Sequence, residues 1–336
     1  MRKLKDFIKS VPLLKRFISY LLEILNLFLG SLYDMRRFFK FGGWRKRSGN
    51  FDERQYYVMF LYHKLEKSLS YKKRNPMSGW SDVYELITQV EIAHDLGQAG
   101  YHDKAAKQVI EKFLQLPENI NDPKSKMIID RLHGIDFSSI DIHGSLRKSK
   151  RELQKGMLDN PEQFFFSRFS IREFSSDKVD SRLIHEGIEL ARKTPSVCNR
   201  QHWHVYHTAD KHVRDIALKF QNGNRGFGHT IPHLLIITTD LSAFFTTKER
   251  NQGWIDGGMY VMSLIYAYHS LGLSCCALNW AQSPRYNQKL KSHLNISDKH
   301  SIICMLAVGY AQEDNLVCAS ARLSEDYFYS ELKERI

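Results

Sequence analysis

Arg168-Phe169-Ser170-Ile171-Arg172-Glu173-Phe174 opens the part of the chain in which strand and helix patterns alternate. In an extended segment Arg168, Ser170 and Arg172 point to one side, because strand side chains alternate. Two cations and a hydroxyl on one side suit a phosphate and an electron-rich ring edge. A solvated basic edge has the same pattern. A second stretch reads Pro195-Ser196-Val197-Cys198-Asn199-Arg200-Gln201-His202-Trp203. Here Ser196, Asn199 and Gln201 crowd neutral hydrogen-bonding groups into one loop. They match a heterocycle that offers both donors and acceptors, although turns favour Ser and Asn for their own reasons.

Working outward, the hydrophobic period alternates between strand and helix from Phe164 onward. Strands are expected at His204–Thr208, His233–Thr239, Ser274–Leu278 and Ser301–Val308. Helices are expected at Ser181–Lys193, Lys211–Phe220, Gln252–Leu271 and Arg285–His293. A glycine-rich stretch, Asn222-Gly223-Asn224-Arg225-Gly226-Phe227-Gly228, lies between two of these elements. Arg322 follows the last strand. No GxGxxG follows a strand, and neither GxxxxGK[ST], GxSxG nor HExxH occurs. Rossmann, P-loop, hydrolase-elbow and zincin chemistry therefore have no support.

These ordered motifs resemble the nitroreductase family of FMN-dependent oxidoreductases. The family's Arg-x-Ser-x-Arg/Lys-x-Phe matches residues 168–174, and its Pro-Ser-x-x-Asn-x-Gln-Pro-Trp matches 195–203 with His202 in place of the usual Pro. Its Leu-Gly-Leu after the long helix matches Leu271-Gly272-Leu273, and its late Gly and basic residue match Gly309 and Arg322. The resemblance covers about residues 160–330 and implies an α+β fold with a mostly antiparallel central sheet flanked by helices. It implies that Arg168 and Ser170, with Arg322, bind the FMN phosphate, and that Arg172 sits at the N1/O2 edge. Ser196, Asn199 and Gln201 would line the ring and ribityl chain. Asn222 or Asn224 would face the pyrimidine edge, and backbone N–H groups at Leu278 and Asn279 would approach N5. The flavin carries the reaction, so no protein nucleophile is required. NAD(P)H as reductant, ping-pong transfer to a small-molecule acceptor and a homodimer with FMN between subunits are also implied. Extended chains of this kind resemble members of bacterial surface-polysaccharide gene sets. A flavin-dependent desaturase or oxidase without nicotinamide, and a non-catalytic membrane-associated scaffold, are the alternatives.

The rest of the 336-residue chain divides into a basic arm, residues 1–50, and a helical region with linker, residues 51–160, ahead of the domain 161–336. The arm carries twelve Lys and Arg against three acidic residues, most of the net charge of +12. Its cations are interleaved with Leu, Phe and Ile, which suits an anionic membrane surface through residues 1–47 better than nucleic acid. Glu23 within the most apolar window argues against a span. Docking on the protein's own body is the other reading. In the middle region Asp82–Leu96 and Asp103–Leu116 form a helical hairpin, and 117–150 read as a linker with short helical turns. His63, Glu66 and His94, like His202 with His204, have no spacing that fixes a metal. Phe244, Phe245 and Trp254 are candidates for a lid over the flavin face or for core. Cys275 and Cys276 read as small buried strand residues. Five cysteines without CxxC spacing point to a cytoplasmic setting, peripheral on the inner membrane face.

Overall fold

The structure, a computed structural model, describes residues 12–141 and 143–334. The first eleven residues of the basic arm lie outside the described residues.

A 30-residue helix, α1 (Pro12–Phe41), comes first. Four helices then bury one shared core: α2 (Phe51–Leu69), α3 (Trp80–Asp95), α4 (Tyr101–Leu114) and α5 (Pro123–Leu132). Their apolar residues recur at three- and four-residue spacing, as in Val58, Leu61, Leu65 and in Val83, Leu86, Val90, so each helix turns one stripe inward. Gly79 starts α3 at φ +97°, and a Cβ there would lie 2.8 Å from the Phe113 ring. Both observations require glycine. The region read as a linker is part of this core. Asp122 caps α5 by accepting from Lys124 N at 2.9 Å, Pro123 starts the helix, and Ile128, Leu132 and Ile135 pack inward. The Pro and Asp that suggest a loop are helix-start residues.

After two short turns, α6 (Lys150–Gln154) and α7 (Pro161–Phe166), the second half builds a four-stranded sheet. Its elements are α8 (Ser181–Ala191), β1 (Trp203–Thr208), α9 (Lys211–Lys219), β2 (His233–Asp240), α10 (Gln252–Ser270), β3 (Ser274–Asn279), α11 (Pro284–His293) and β4 (His300–Gly309). Each agrees with its sequence expectation to within a few residues. The strand order is β1-β2-β4-β3, with every neighbour antiparallel. Central strand β2 is buried throughout. Leu235, Ile237, Leu306 and Val308 face α8 and α10, while Leu234, Ile236, Met305 and Ala307 face the opposite layer.

The two halves meet at one end of the sheet. The Arg37 guanidinium donates to Ser301 Oγ at 2.8 Å and to the carbonyls of Asp298 and His300 at 2.8 and 2.7 Å. Asn287 Nδ2 donates to Tyr33 Oη at 2.6 Å. A Cβ at Gly43 would lie 2.2 Å from the Ser242 carbonyl, so only glycine lets the chain pass there. Asp240 is the hub. It accepts from Ser242 N at 2.9 Å and from Lys299 Nζ at 3.1 Å, and Lys299 also reaches Asp52 at 2.6 Å. Burial alone would raise the Asp240 carboxyl, but the hydrogen bond from His300 and the charge of Lys299 hold it down at about 2.

A folded value below the unfolded one means stability that is present above pH 4 and lost on acidification. Urea unfolding between pH 5 and pH 2 should show Asp240 contributing about 2 kcal/mol of that loss, and Asp240→Asn should flatten the curve by this amount.

Candidate functional site

Residues 168–172 do run extended. Ile171 N donates to Cys275 O at 3.1 Å, so the segment lies beside the outer edge of β3. Buried Ile171 and Phe174 anchor it. Arg168 and Ser170 are half-buried and Arg172 is exposed. Among the described residues no carboxylate lies within 4 Å of either guanidinium. Two cations without counter-ions on one sheet edge are placed to receive an external anion.

Two cavities flank this segment. One, of about 360 Å³, lies beside Arg168 and is lined also by Ser167, His269, Asn315 and Val317. The other, of about 350 Å³, brings Arg172, Asn222, Leu278 and Asn279 together with Gln221 and Cys276. Both volumes are of ligand size. Gln221 is buried, donates to Asn279 O at 2.9 Å and accepts from Gly223 N at 2.7 Å. Asn224 is committed elsewhere, its amide donating to Leu218 O at 2.9 Å at the end of α9. Asn222 is thus the asparagine that lines the groove. The carbonyls of Cys275 and Asn279 both face the outer edge. Strand parity therefore places the N–H of Asn279 on that edge and the N–H of Leu278 toward β4. Cys275 and Cys276 are buried wall residues, and burial raises both thiols, with Arg172 opposing this at Cys276.

The C-terminal segment crosses the same edge, with Arg172 Nη1 3.3 Å from Cys318 Sγ. Arg322 lies further along this exposed stretch and outside the lining of both cavities. Gln221, His269 and Asn315 are site residues that sequence reasoning missed. Only Gln221, adjoining the glycine-rich stretch, had a signal to find.

The loop 196–201 sits at the other end of the sheet. Cys198, Asn199 and Gln201 hold φ of +48°, +54° and +45°, a conformation costing non-glycine residues of order 1 kcal/mol each. The surroundings over-determine it. Ser196 Oγ accepts from Gln201 N at 2.9 Å. Asp256 accepts from Val197 N at 2.9 Å and from His202 Nε2 at 2.8 Å, while His202 Nδ1 pairs with Thr239 Oγ1 at 2.8 Å. Arg200, wholly buried, pairs with Glu249. Helix α2 packs on the 197–199 turn. Phe244 is core, Phe245 packs against Tyr57 and Phe60 of α2, and Trp254 is exposed. Phe245 therefore braces the helical half, and Phe244 packs against His202 and Arg200, which is the core alternative for this pair.

Register measures the separation. Ser170 pairs with Cys275, opposite Val308, whereas Trp203 is level with Thr239 and Ser301. The two places are roughly 24 Å apart along the strands and about 19 Å across them. One FMN cannot touch both within one chain. The donor set at residues 168–172, with the amides of Gln221 and Asn222, fits a phosphate and the polar edge of a flavin.

His202 stands where the resembled family has Pro, and both its ring nitrogens are bonded. His202→Pro should therefore cost about 1–3 kcal/mol by stranding Asp256 and Thr239, measured as a lower urea midpoint; an unchanged midpoint would remove the bracing role.

The nitroreductase family profile matches residues 166–310. A 4-nitrobenzoate reductase of Pseudomonas putida is 23% identical over 211 residues, which is 48% of this chain and 89% of that protein. A 4-nitrobenzoate reductase of Nocardioides sp. (strain LMS-CY) is 23% identical over 207 residues, 47% of this chain and 83% of that one. The solved structure of a nitroreductase in complex with FMN from Desulfovibrio desulfuricans is 19% identical with a TM-score of 0.45, over 53% of this chain and 100% of that one. By the family match, residues 166–310 have the fold of the nitroreductase family, carried behind an N-terminal helical extension.

Proposed function

We propose that the chain works as a homodimer that reduces a small electron-poor acceptor with NAD(P)H. Each site would combine the 168–172 edge of one copy with the 196–201 loop of the other. The separation of these two groups across the sheet carries the reading, because a second copy can bring the ends together. Bound FMN would take hydride from the nicotinamide and hand two electrons to an acceptor in its place. Arg168 and Ser170 would hold the phosphate, and Arg322 would join them only by movement of the exposed C-terminal segment. Arg172 would face the pyrimidine edge, stabilising negative charge there, while Asn222, Gln221 and the Asn279 N–H orient the ring. Ser196, Asn199 and Gln201 would close the site from the partner. The names of the curated relatives make a nitroaromatic carboxylate the first acceptor to test.

Helix α1 supports a peripheral membrane role. Among the described residues no helix is long and apolar enough to cross a membrane. Yet Leu13, Phe17, Leu21, Leu25 and Phe28 are exposed, with Lys15 and Arg16 among them. Such a helix suits the interface of an anionic bilayer.

Arg168→Ala/Arg172→Ala should weaken FMN binding at least about a hundredfold, the loss of two charge-assisted contacts. Mixing that variant with Asn199→Ala/Gln201→Ala should restore NAD(P)H oxidation through hybrid dimers, and no recovery would argue against a shared site. In flotation with phosphatidylserine-containing vesicles, Leu25→Glu/Phe28→Glu should sink where the unaltered chain floats. Equal flotation would remove the membrane reading.

A further inference from the structure

An apolar cavity lies away from the 168–172 edge. It has a volume of about 760 Å³ and opens between the second half of α1 and the segment joining β2 to α10. Its walls are Met35, Phe38 and Phe39 of α1, Trp44, Phe245 and Trp254. Arg37 and Tyr33 pin α1 beneath the cavity, and Phe38, Phe39, Trp44, Phe245 and Trp254 contribute aromatic rings to its wall. Neither the flavin nor the reaction proposed above uses this space.

Two further observations say what would fill it. On α1, Leu21, Leu25, Phe28, Leu32, Met35 and Phe39 follow one another at steps of four and three, so they form one stripe along a single helix face. Leu21, Leu25, Phe28, Met35 and Phe39 are all exposed, and Met35 and Phe39 also line the cavity. An apolar track about 27 Å long therefore runs from the exposed part of the helix into the cavity. The mouth is cationic. Arg250 is exposed there, with no carboxylate within 4 Å among the described residues and a hydrogen bond to Thr247 O at 3.4 Å. Arg37 also lines the wall, opposite in charge to Asp34. Burial raises the Asp34 carboxyl, and the charge of Arg37 acts against that rise.

We propose that this cavity binds the hydrocarbon chain of an anionic membrane lipid, with the lipid phosphate at Arg250. The chain would leave the bilayer along the α1 stripe and end among Phe38, Phe39, Phe245 and Trp254. The inference draws its lipid source from the membrane reading of α1 but stands on the cavity.

The test is calorimetric titration of the full chain with octyl, decyl and dodecyl phosphate below their micelle concentrations, with inorganic phosphate as control. Binding should saturate at one per chain and strengthen roughly fourfold per methylene. Ser31→Trp, which places an indole at the cavity wall, should weaken dodecyl phosphate at least about tenfold. Arg250→Ala should weaken dodecyl phosphate about tenfold and leave decanol unaffected. Flavin content, read from the visible spectrum of the same samples, should stay unchanged in both variants, so failure here is separable from failure of the flavin reading. Binding independent of chain length, or unchanged in Ser31→Trp, would overturn the proposal. Vesicle flotation without alkyl phosphate uptake would limit α1 to a bilayer surface and overturn it too. Dissociation of a dimer by Ser31→Trp would assign the cavity to a second copy instead.

Discussion

Strand β4 sets the distance on which the rest of the structure depends. Its ten residues run from the end where Arg37 and Asp240 tie in the helical half to the end where residues 168–172 join the sheet edge. Antiparallel pairing on both sides fixes its register, so neither end can drift toward the other. The cations at one end and the amide-rich loop at the other are therefore held apart by the core itself. In the proposed homodimer a site that combines both would draw on two copies of the chain, with the sheet as the spacer between each copy's two groups.

The helical half gains a physical role in this arrangement. The 196–201 loop holds three non-glycine residues at positive φ, and loops of that kind relax unless their surroundings prevent it. Asp256 and His202 hold the loop from the α10 side, while α2 packs on its outer surface. Phe245 reaches outward to Tyr57 and Phe60, and Lys299 bridges Asp240 to Asp52. The extension thus braces a loop of the catalytic fold and carries α1 beside the β2–α10 segment.

Much of the second half was legible in the sequence because its strands and helices obey their periods. The buried run His233–Asp240 and the alternation of Arg168, Ser170 and Arg172 are local signals. The choice between Asn222 and Asn224 was not legible, since it depends on which amide caps α9. Helix α5 was misread because Asp122-Pro123 serves equally as a turn or a helix start. Lid and core could not be told apart for Phe244 and Phe245, because aromatic residues after a strand do not reveal what packs on them. The ties from Arg37 to Ser301 and from Asp52 to Lys299 join residues more than 240 positions apart, and nothing in either neighbourhood announces the other. His202 is the instructive departure. It stands where the resembled family has Pro, and its two buried hydrogen bonds, to Asp256 and Thr239, are contacts no proline could make.

In the proposed function the 168–172 edge holds FMN for nicotinamide-driven reduction. The visible spectrum of the purified full chain, recorded before and after anaerobic addition of NADH or NADPH, tests it most directly. The account predicts flavin absorption that bleaches on addition, with the released chromophore having the mass of FMN. A colourless protein that takes up no added FMN, or bound FMN that neither nicotinamide reduces, would contradict it.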